Sequence, residues 1–270
     1  IGLARLRKML DDPLFVRTPE GMQATPRTQA LMPAVRQVLD GMDLLASVTA
    51  QFDAASSERR FRIFMTDASH VTLMPRLFAH VRALAPGVKL EAATLGPDMA
   101  QALQSGEADL ALGLIPTLDR GFYQQALFDQ DWVCLCNADH PSIGEKFHLK
   151  HYLAEAHVGI VSGTGQQLLE ETLLRLGLRR EVALKLPGFL GLPATLSTTE
   201  LVATLPRHIG ETLARSSGEA LQVLACPLPI PRFLVKQHWH ARFHQDAANR
   251  WLRGVCASLF LTSDRRSPNG

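Results

Sequence analysis

Leu3, Leu6 and Leu10 share one face of a helical wheel while Arg5, Arg7 and Lys8 spread around the rest, so the chain opens on a basic amphipathic helix. Asp12-Pro13 ends it. Leu14-Phe15-Val16-Arg17 reads as a short strand, Thr18-Pro19-Glu20-Gly21 as a turn and Met22-Gln23-Ala24 as the returning strand. Thr25-Pro26 starts the next helix, because the Thr oxygen can accept from a free backbone N–H and Pro at the first helical position gives up no hydrogen bond. Leu31, Val35, Val38, Met42 and Leu45 are spaced four, three, four and three. That spacing keeps them on one stripe when two helices pair as a coiled coil, although the same stripe would also suit a helix lying on its own domain. Pro33 and Gly41 weaken this helix, Pro33 by removing an internal hydrogen bond.

Phe52 to Arg60 is small and polar and reads as a joint, after which Phe61-Arg62-Ile63-Phe64-Met65-Thr66 alternates as a strand. Strands and helices then take turns: helix Leu73 to Leu84, strand Val88 to Ala93, helix Asp98 to Ser105 closed by Gly106, strand Ala108 to Leu114. A second cycle follows Asp131, with strands ending at Cys136, Val161 and Leu186, and helices at Leu149 to Glu155, after Gly165 and at Leu192 to Thr198. Leu201 to Pro206 and Leu234 to Trp239 read as strands, His208 to Ser216 and Asp246 to Leu261 as helices, and the polar tail from Thr262 as unstructured. The rhythm predicts an α/β fold of mostly parallel sheets covered by helices, in two Rossmann-like lobes joined by two crossing strands.

Composition narrows the function. With 28 Lys and Arg against 26 Asp and Glu in 270 residues, general basicity does not announce nucleic acid, so any DNA-binding surface is local. Cys134, Cys136, Cys226 and Cys256 have no zinc-ligand spacing and read as reduced packing thiols, the first two on one face of a strand. No apolar run is long enough to span a bilayer and no secretory signal opens the chain, which makes the cytoplasm the default. The first residue, Ile1, already lies in helical periodicity with no cap before it, as if the chain were cut inside a helix. Enzymes fare poorly: there is no GxSxG elbow, HExxH or Walker sequence, and His238 and His240 share one side of a strand without a third ligand. Neither metal nor cofactor is expected.

Arg5-Leu6-Arg7-Lys8-Met9-Leu10-Asp11-Asp12-Pro13-Leu14-Phe15-Val16-Arg17-Thr18, followed by Gly21-Met22 and Ala24-Thr25-Pro26-Arg27, resembles the end of the recognition helix, the wing and the linker-helix start of LysR-type transcription regulators. FRIFMTD at Phe61 to Asp67, Ala85-Pro86-Gly87-Val88, Asp109-Leu110-Ala111-Leu112-Gly113, Asp139-His140-Pro141 and Trp251-Leu252-Arg253 keep the same company in order. The likeness runs from Ile1 to about Phe260 and is strongest to the NahR/DntR/NodD-like branch, whose members sense aromatic compounds.

The resemblance implies the back part of a winged helix-turn-helix in residues 1–24, a linker dimerisation helix over 25–55, and an effector-binding domain of periplasmic-binding-protein-like fold over 56–270. Lobe I would comprise about 59–132 and 236–265, and lobe II about 133–235. It implies double-stranded operator DNA, a small-molecule effector, a homodimer commonly assembled into a homotetramer, and RNA polymerase as a further candidate partner, with no membrane. A solute-binding protein of a transporter shares the sensor architecture, but would need a secretory signal and would not carry the LFVRT wing. In the family, base edges are read by the part of the recognition helix that precedes Ile1. Arg5, Arg7, Lys8 and Arg17 are therefore candidate phosphate contacts, which position a protein on DNA and carry little sequence information. The chain as it stands is expected to bind an operator poorly.

By the same resemblance Thr66, Asp67 and Ser69 border the effector from one lobe, while the loop Ser162-Gly163-Thr164-Gly165-Gln166 faces them, with Thr164 and Gln166 as contacts. Asp67 or Ser69 would equally serve as a helix cap. Asp131, Gln166 and His208 stand where aromatic-acid-responsive members resemble one another in using histidines and an arginine, with Leu73 and Phe233 as walls. A carboxylate at Asp131 repels an anionic ligand, and His208 is a weaker, titratable substitute for a guanidinium. These positions favour a neutral or phenolic aromatic over a salicylate-like acid, unless Asp131 is only a surface turn residue before the crossing strand.

Overall fold

The computed structural model describes residues 2–47, 52–118, 120–144, 146–161 and 164–261, and within these the side chains of 44–47 and 164 are outside the description. Leu45 of the predicted seam, the Thr164 side chain, Ser162, Gly163 and the tail from Thr262 thus lie outside the described residues. The chain divides into a smaller unit ending at Gln51 and a larger one beginning at Phe52.

In the smaller unit helix α1 (Gly2–Leu10) is followed by the antiparallel hairpin β1 (Phe15–Thr18) and β2 (Gly21–Ala24), then helix α2 (Pro26–Ser47). Thr25 Oγ1 accepts the Thr28 N–H at 3.2 Å, with Pro26 at the first helical position. The helix continues through Pro33 in spite of the lost hydrogen bond. Val35, Val38 and Met42 are exposed, and Met32 and Leu39 beside them widen the predicted stripe into a band.

The larger unit runs β3 (Arg60–Met65), α3 (Asp67–Thr72), α4 (Met74–Leu84), β4 (Lys89–Thr94), α5 (Met99–Ser105), β5 (Leu110–Gly113), β6 (Phe122–Gln130), β7 (Trp132–Asn137), α6 (Leu149–Ala154), β8 (Ala156–Ile160), α7 (Thr164–Leu176), β9 (Glu181–Leu186), α8 (Leu192–Ser197), β10 (Val202–Pro206), α9 (Arg207–Ser216), β11 (Leu221–Ala225), β12 (Phe233–His240) and α10 (Ala247–Phe260). Phe52 packs on Phe61 and Trp251, so the end of the predicted linker stretch belongs to this unit. Two five-stranded sheets result, in the orders β4-β3-β5-β12-β6 and β11-β7-β10-β8-β9. β3, β4 and β5 are mutually parallel, and β12 returns antiparallel between β5 and β6. In lobe II β8 runs parallel to β9 and β10, with β7 antiparallel to β10 and β11.

Each sheet is covered on both faces. Phe61, Ile63 and Met65 pack against Leu77, Val81, Leu252 and Phe260 on one side of the first, and Phe64 and Ala111 meet Met99 and Leu103 on the other. Leu135, Ala203 and Leu205 meet Leu196 and Ile209 in lobe II, while Cys134 and Cys136 pack with Tyr152 and Leu169 behind. All four cysteines are unbonded. β6 and β11 are the two strands that periodicity does not flag, and each is a sheet edge. Residues Tyr123 to Ala126 of β6 are exposed in succession, so the alternation that marks a strand is absent there.

The chain crosses between lobes twice, where β6 passes into β7 around Asp131 and where β12 returns at Phe233. These crossings put the carboxyl ends of β3 and β5 opposite those of β8 and β10.

Candidate functional site

Those strand ends enclose a cavity of about 80 Å³ between the lobes. A crevice at the carboxyl ends of strands is where α/β sheets generally bind ligands, since the loops there are free to carry polar groups. Lobe I contributes Thr66, Ser69, Gly113, Phe128 and Gln130, and lobe II contributes Trp132, Ile160, Gln166, Thr204 and His208. Phe233 and Val235 of the returning strand complete the apolar wall. Gly113 is required where it stands, because it has φ +151° and a side chain there would press to 3.2 Å from Thr66 Cγ2.

Thr66 is the cap of α3: its Oγ1 accepts the Ser69 N–H at 3.2 Å and lies 2.9 Å from Ser69 Oγ. The cap is thus one residue before Asp67 and three before Ser69, the two expected positions. Asp67 instead reaches across to lobe II, where Oδ2 accepts the Phe189 N–H at 2.8 Å. A Cβ on Gly188 would stand 3.1 Å from Asp67 Cγ and still closer to Oδ2, so the loop can come this near only with glycine there. Ala68 and Val71 on the same helix pack against the lobe II cluster around Phe189 and Ile209. A polar and an apolar contact from α3 therefore help to hold the lobes together beside the cavity.

Gln166, His208, Thr66, Asp67, Ser69 and Phe233 are brought together as the sequence suggests, and Thr164 opens α7 next to them. Leu73 is not: it is fully buried in the lobe I core, because it sits between α3 and α4 with its side chain turned toward Leu77 and Phe61 rather than the crevice. Asp131 also lies outside the cavity. Its carboxylate takes two hydrogen bonds from Arg207, at 2.6 and 2.9 Å, and its backbone oxygen accepts the Arg207 N–H at 2.9 Å. The pairing with Arg207 holds the Asp131 carboxyl below the usual carboxylate range. It staples the first crossing to α9 in an open outer concavity, where Arg76, Arg207 and Arg232 face Asp129, Asp131 and Glu211. The expected repulsion between Asp131 and an acid in the cavity therefore has no free charge behind it.

Among the described residues the cavity carries no cation. His208 meets Phe128 edge-on at 5.3 Å, its backbone N–H donates to Gln130 Oε1 at 3.1 Å, and burial with the nearby charges of Arg76 and Arg215 lowers the pKa of its ring. At neutral pH the ring is an uncharged donor and acceptor. Trp132, Gln130, Thr204, Ile160 and Phe189 line the site without having been singled out in sequence. For Trp132 a signal existed, an indole directly after the crossing at Asp131. Its Nε1–H donates to Pro231 O at 3.0 Å, which turns the ring across the second crossing and toward Phe233.

On the smaller unit Arg5, Arg7, Lys8 and Arg17 are exposed, with Arg7 Nε tied to Pro13 O at 2.8 Å. Among the described residues no helix is long and apolar enough to cross a membrane.

Comparison with known proteins agrees with this architecture. The family model of the LysR substrate binding domain matches residues 54–260. The transcriptional activator NahR of Pseudomonas putida is 36% identical over 261 residues, covering 96% of this chain and 86% of that protein. Nodulation protein D 2 of Rhizobium tropici is 31% identical over 267 residues, 97% of this chain and 84% of the relative. The crystal structure of PA0477, a probable transcriptional regulator from Pseudomonas aeruginosa, superposes with a TM-score of 0.68 at 31% identity, covering 95% of this chain and 85% of that one. With the match spanning both lobes and continuing through the hairpin and long helix before them, the chain belongs to the LysR family of transcriptional regulators, in the branch that holds NahR and the nodulation D proteins.

Proposed function

We propose that this regulator senses a compact, uncharged aromatic molecule in the cavity between its lobes and converts that occupancy into control of DNA to which it is bound as a dimer or tetramer. The observation that carries the reading is the character of the cavity: aromatic and aliphatic walls, hydroxyl and amide groups, a neutral imidazole and, among the described residues, no cation. A carboxylate moved from water into such a site without a counter-ion loses several kcal/mol, whereas a phenol loses only what one or two hydrogen bonds return. At about 80 Å³ the cavity is smaller than the roughly 150 Å³ that holds benzene. Its occupant is accordingly a single ring admitted by a slight parting of the lobes.

The exposed band on α2 supports association of two copies, since so much apolar surface on one helix is costly in water. The exposed arginines of α1 and β1 support phosphate contacts. NahR is by name a transcriptional activator, and that likeness extends the same role to this chain.

Calorimetric titration with phenol and with benzoate tests the ligand reading. Gly165 lines the cavity, and a side chain there would grow toward Trp132, 3.3 Å from a first added carbon. Phenol is expected to bind the wild type more tightly than benzoate and to lose its binding in Gly165→Leu. Tighter benzoate binding, or phenol binding indifferent to Gly165→Leu, contradicts the reading.

A further inference from the structure

Gln166 lies on α7 one turn before Glu170, and its Nε2 donates to Glu170 Oε1 at 2.7 Å. The same oxygen accepts from Arg180 Nη2 at 2.8 Å. A carboxylate oxygen can only accept, so the amide cannot turn over without setting oxygen against oxygen. Glu170 is itself held. The Arg180 side chain is 2% exposed, its Nε and Nη1 have no partner, and Glu170 is its one acidic partner among the described residues. Releasing Glu170 would leave a buried guanidinium without a counter-ion, which is strongly unfavourable.

The other polar groups around the cavity are largely committed. Gln130 uses Oε1 on the His208 N–H and Nε2 on Asp129 O. Thr66 is engaged with Ser69, Thr204 Oγ1 with Tyr152 Oη at 2.9 Å, and Asp67 with Phe189. Among the described side chains the acceptors left over are the carbonyl oxygen of Gln166 and Asp67 Oδ1, with the ring of His208 beside them. As a neutral imidazole His208 serves as donor or acceptor by choice of tautomer, so it does not discriminate. The Gln166 oxygen does.

We propose that Gln166 is a specificity residue that reads a hydrogen-bond donor on the effector, with Glu170 and Arg180 as the positioning residues that fix its amide. The effector class is then a compact ring bearing a hydroxyl or amine, in preference to one bearing only acceptors or halogen. This rests on the reading that the effector occupies the cavity between the lobes, and it adds the chemical complement that the ligand must present.

Phenol and fluorobenzene, nearly equal in size and differing in the donor, are the probes. The readout is the ratio of their dissociation constants in the wild type divided by that ratio in each variant, in which the unequal hydration of the two probes cancels. Gln166→Met keeps the length and removes the acceptor, and is expected to reduce the preference for phenol by about fivefold to tenfold, the worth of one neutral hydrogen bond. Glu170→Gln leaves residue 166 in place but frees its amide to rotate, and is expected to lower the preference part of the way. A merely structural role for Glu170 would weaken both probes alike. An unchanged ratio in Gln166→Met, or an equal loss for both probes in Glu170→Gln, overturns the assignment while binding that Gly165→Leu abolishes keeps the cavity reading intact. Failure of both probes to bind the wild type at millimolar concentration removes the cavity reading itself and the inference with it.

Discussion

Gly188→Ala is the most informative single change to the contact that closes the lobes. Gly188 does not occupy the left-handed backbone region, so alanine brings no backbone strain there, and its only close neighbour is the carboxylate of Asp67. A methyl group on Gly188 and the hydrogen bond from Phe189 N–H to Asp67 Oδ2 cannot coexist: either the loop withdraws or the carboxylate rotates away. A hydrogen bond to a charged acceptor contributes about 1.5 to 3 kcal/mol. Taking about 2 kcal/mol, the closed arrangement loses up to roughly thirtyfold in population, at a tenfold change for each 1.4 kcal/mol. Apparent affinity scales with the fraction of binding-competent molecules, and a ring enters only when the lobes part, so phenol binding is expected to tighten by up to that factor. Hydrogen exchange at the Phe189 amide is expected to accelerate to a similar extent. The clash needs the carboxylate, so in an Asp67→Ala background the same Gly188→Ala change is expected to be almost silent in both assays. Unaltered Phe189 protection in Gly188→Ala, or effects of the two substitutions that simply add, would refute the latch.

Val38→Asp on α2 places a charge in the exposed apolar band, and sedimentation is expected to show monomers where the wild type is dimeric; an unchanged dimer would remove α2 from the interface. His157 and His238 are almost fully buried, and burial lowers the pKa of each from 6.5 to about 4. Both are neutral in the folded chain while the unfolded chain protonates them, so the stability they contribute is present above pH 6.5 and is lost as the pH falls toward 4. The loss is on the order of 3 kcal/mol for each, and denaturant unfolding between pH 7 and pH 4.5 is expected to flatten in His157→Gln and His238→Gln; an equal slope in wild type and variants would contradict it. Asp131→Asn is expected to leave the ratio of phenol to benzoate affinity unchanged, because that carboxylate is paired with Arg207 outside the cavity; a shift toward benzoate would return Asp131 to the site.

The alternation of strands and helices, the hairpin and the long helix were legible because each buries one face and so carries a period. Leu110 to Gly113, buried throughout, and Trp132 to Cys136 were plain as apolar runs between turns. β6 was not, since Tyr123 to Ala126 are exposed in succession and carry no alternation, and β11 was missed although its burial alternates, whereas the other two edges, β4 and β9, were read. At the site, Thr66, Gln166, His208 and Phe233 were found by their likeness to a family motif, which locates positions along the chain. That likeness does not say which way a side chain turns. Leu73 is apolar and near the motif, yet the break between α3 and α4 aims it into the core. Asp131 looked like a charge facing the ligand because its partner Arg207 is 76 residues away in sequence. The Phe189 to Asp67 bond spans 122 residues, and nothing local in either segment announces it.

Difference electron density from crystals grown with phenol tests the central claim most directly. One ring is expected between the lobes, against Trp132 and Phe233, with its hydroxyl oxygen within hydrogen-bond distance of Gln166 Oε1. Density for the ring in the outer concavity beside Arg76 and Phe260, with the space between the lobes unchanged, would contradict it.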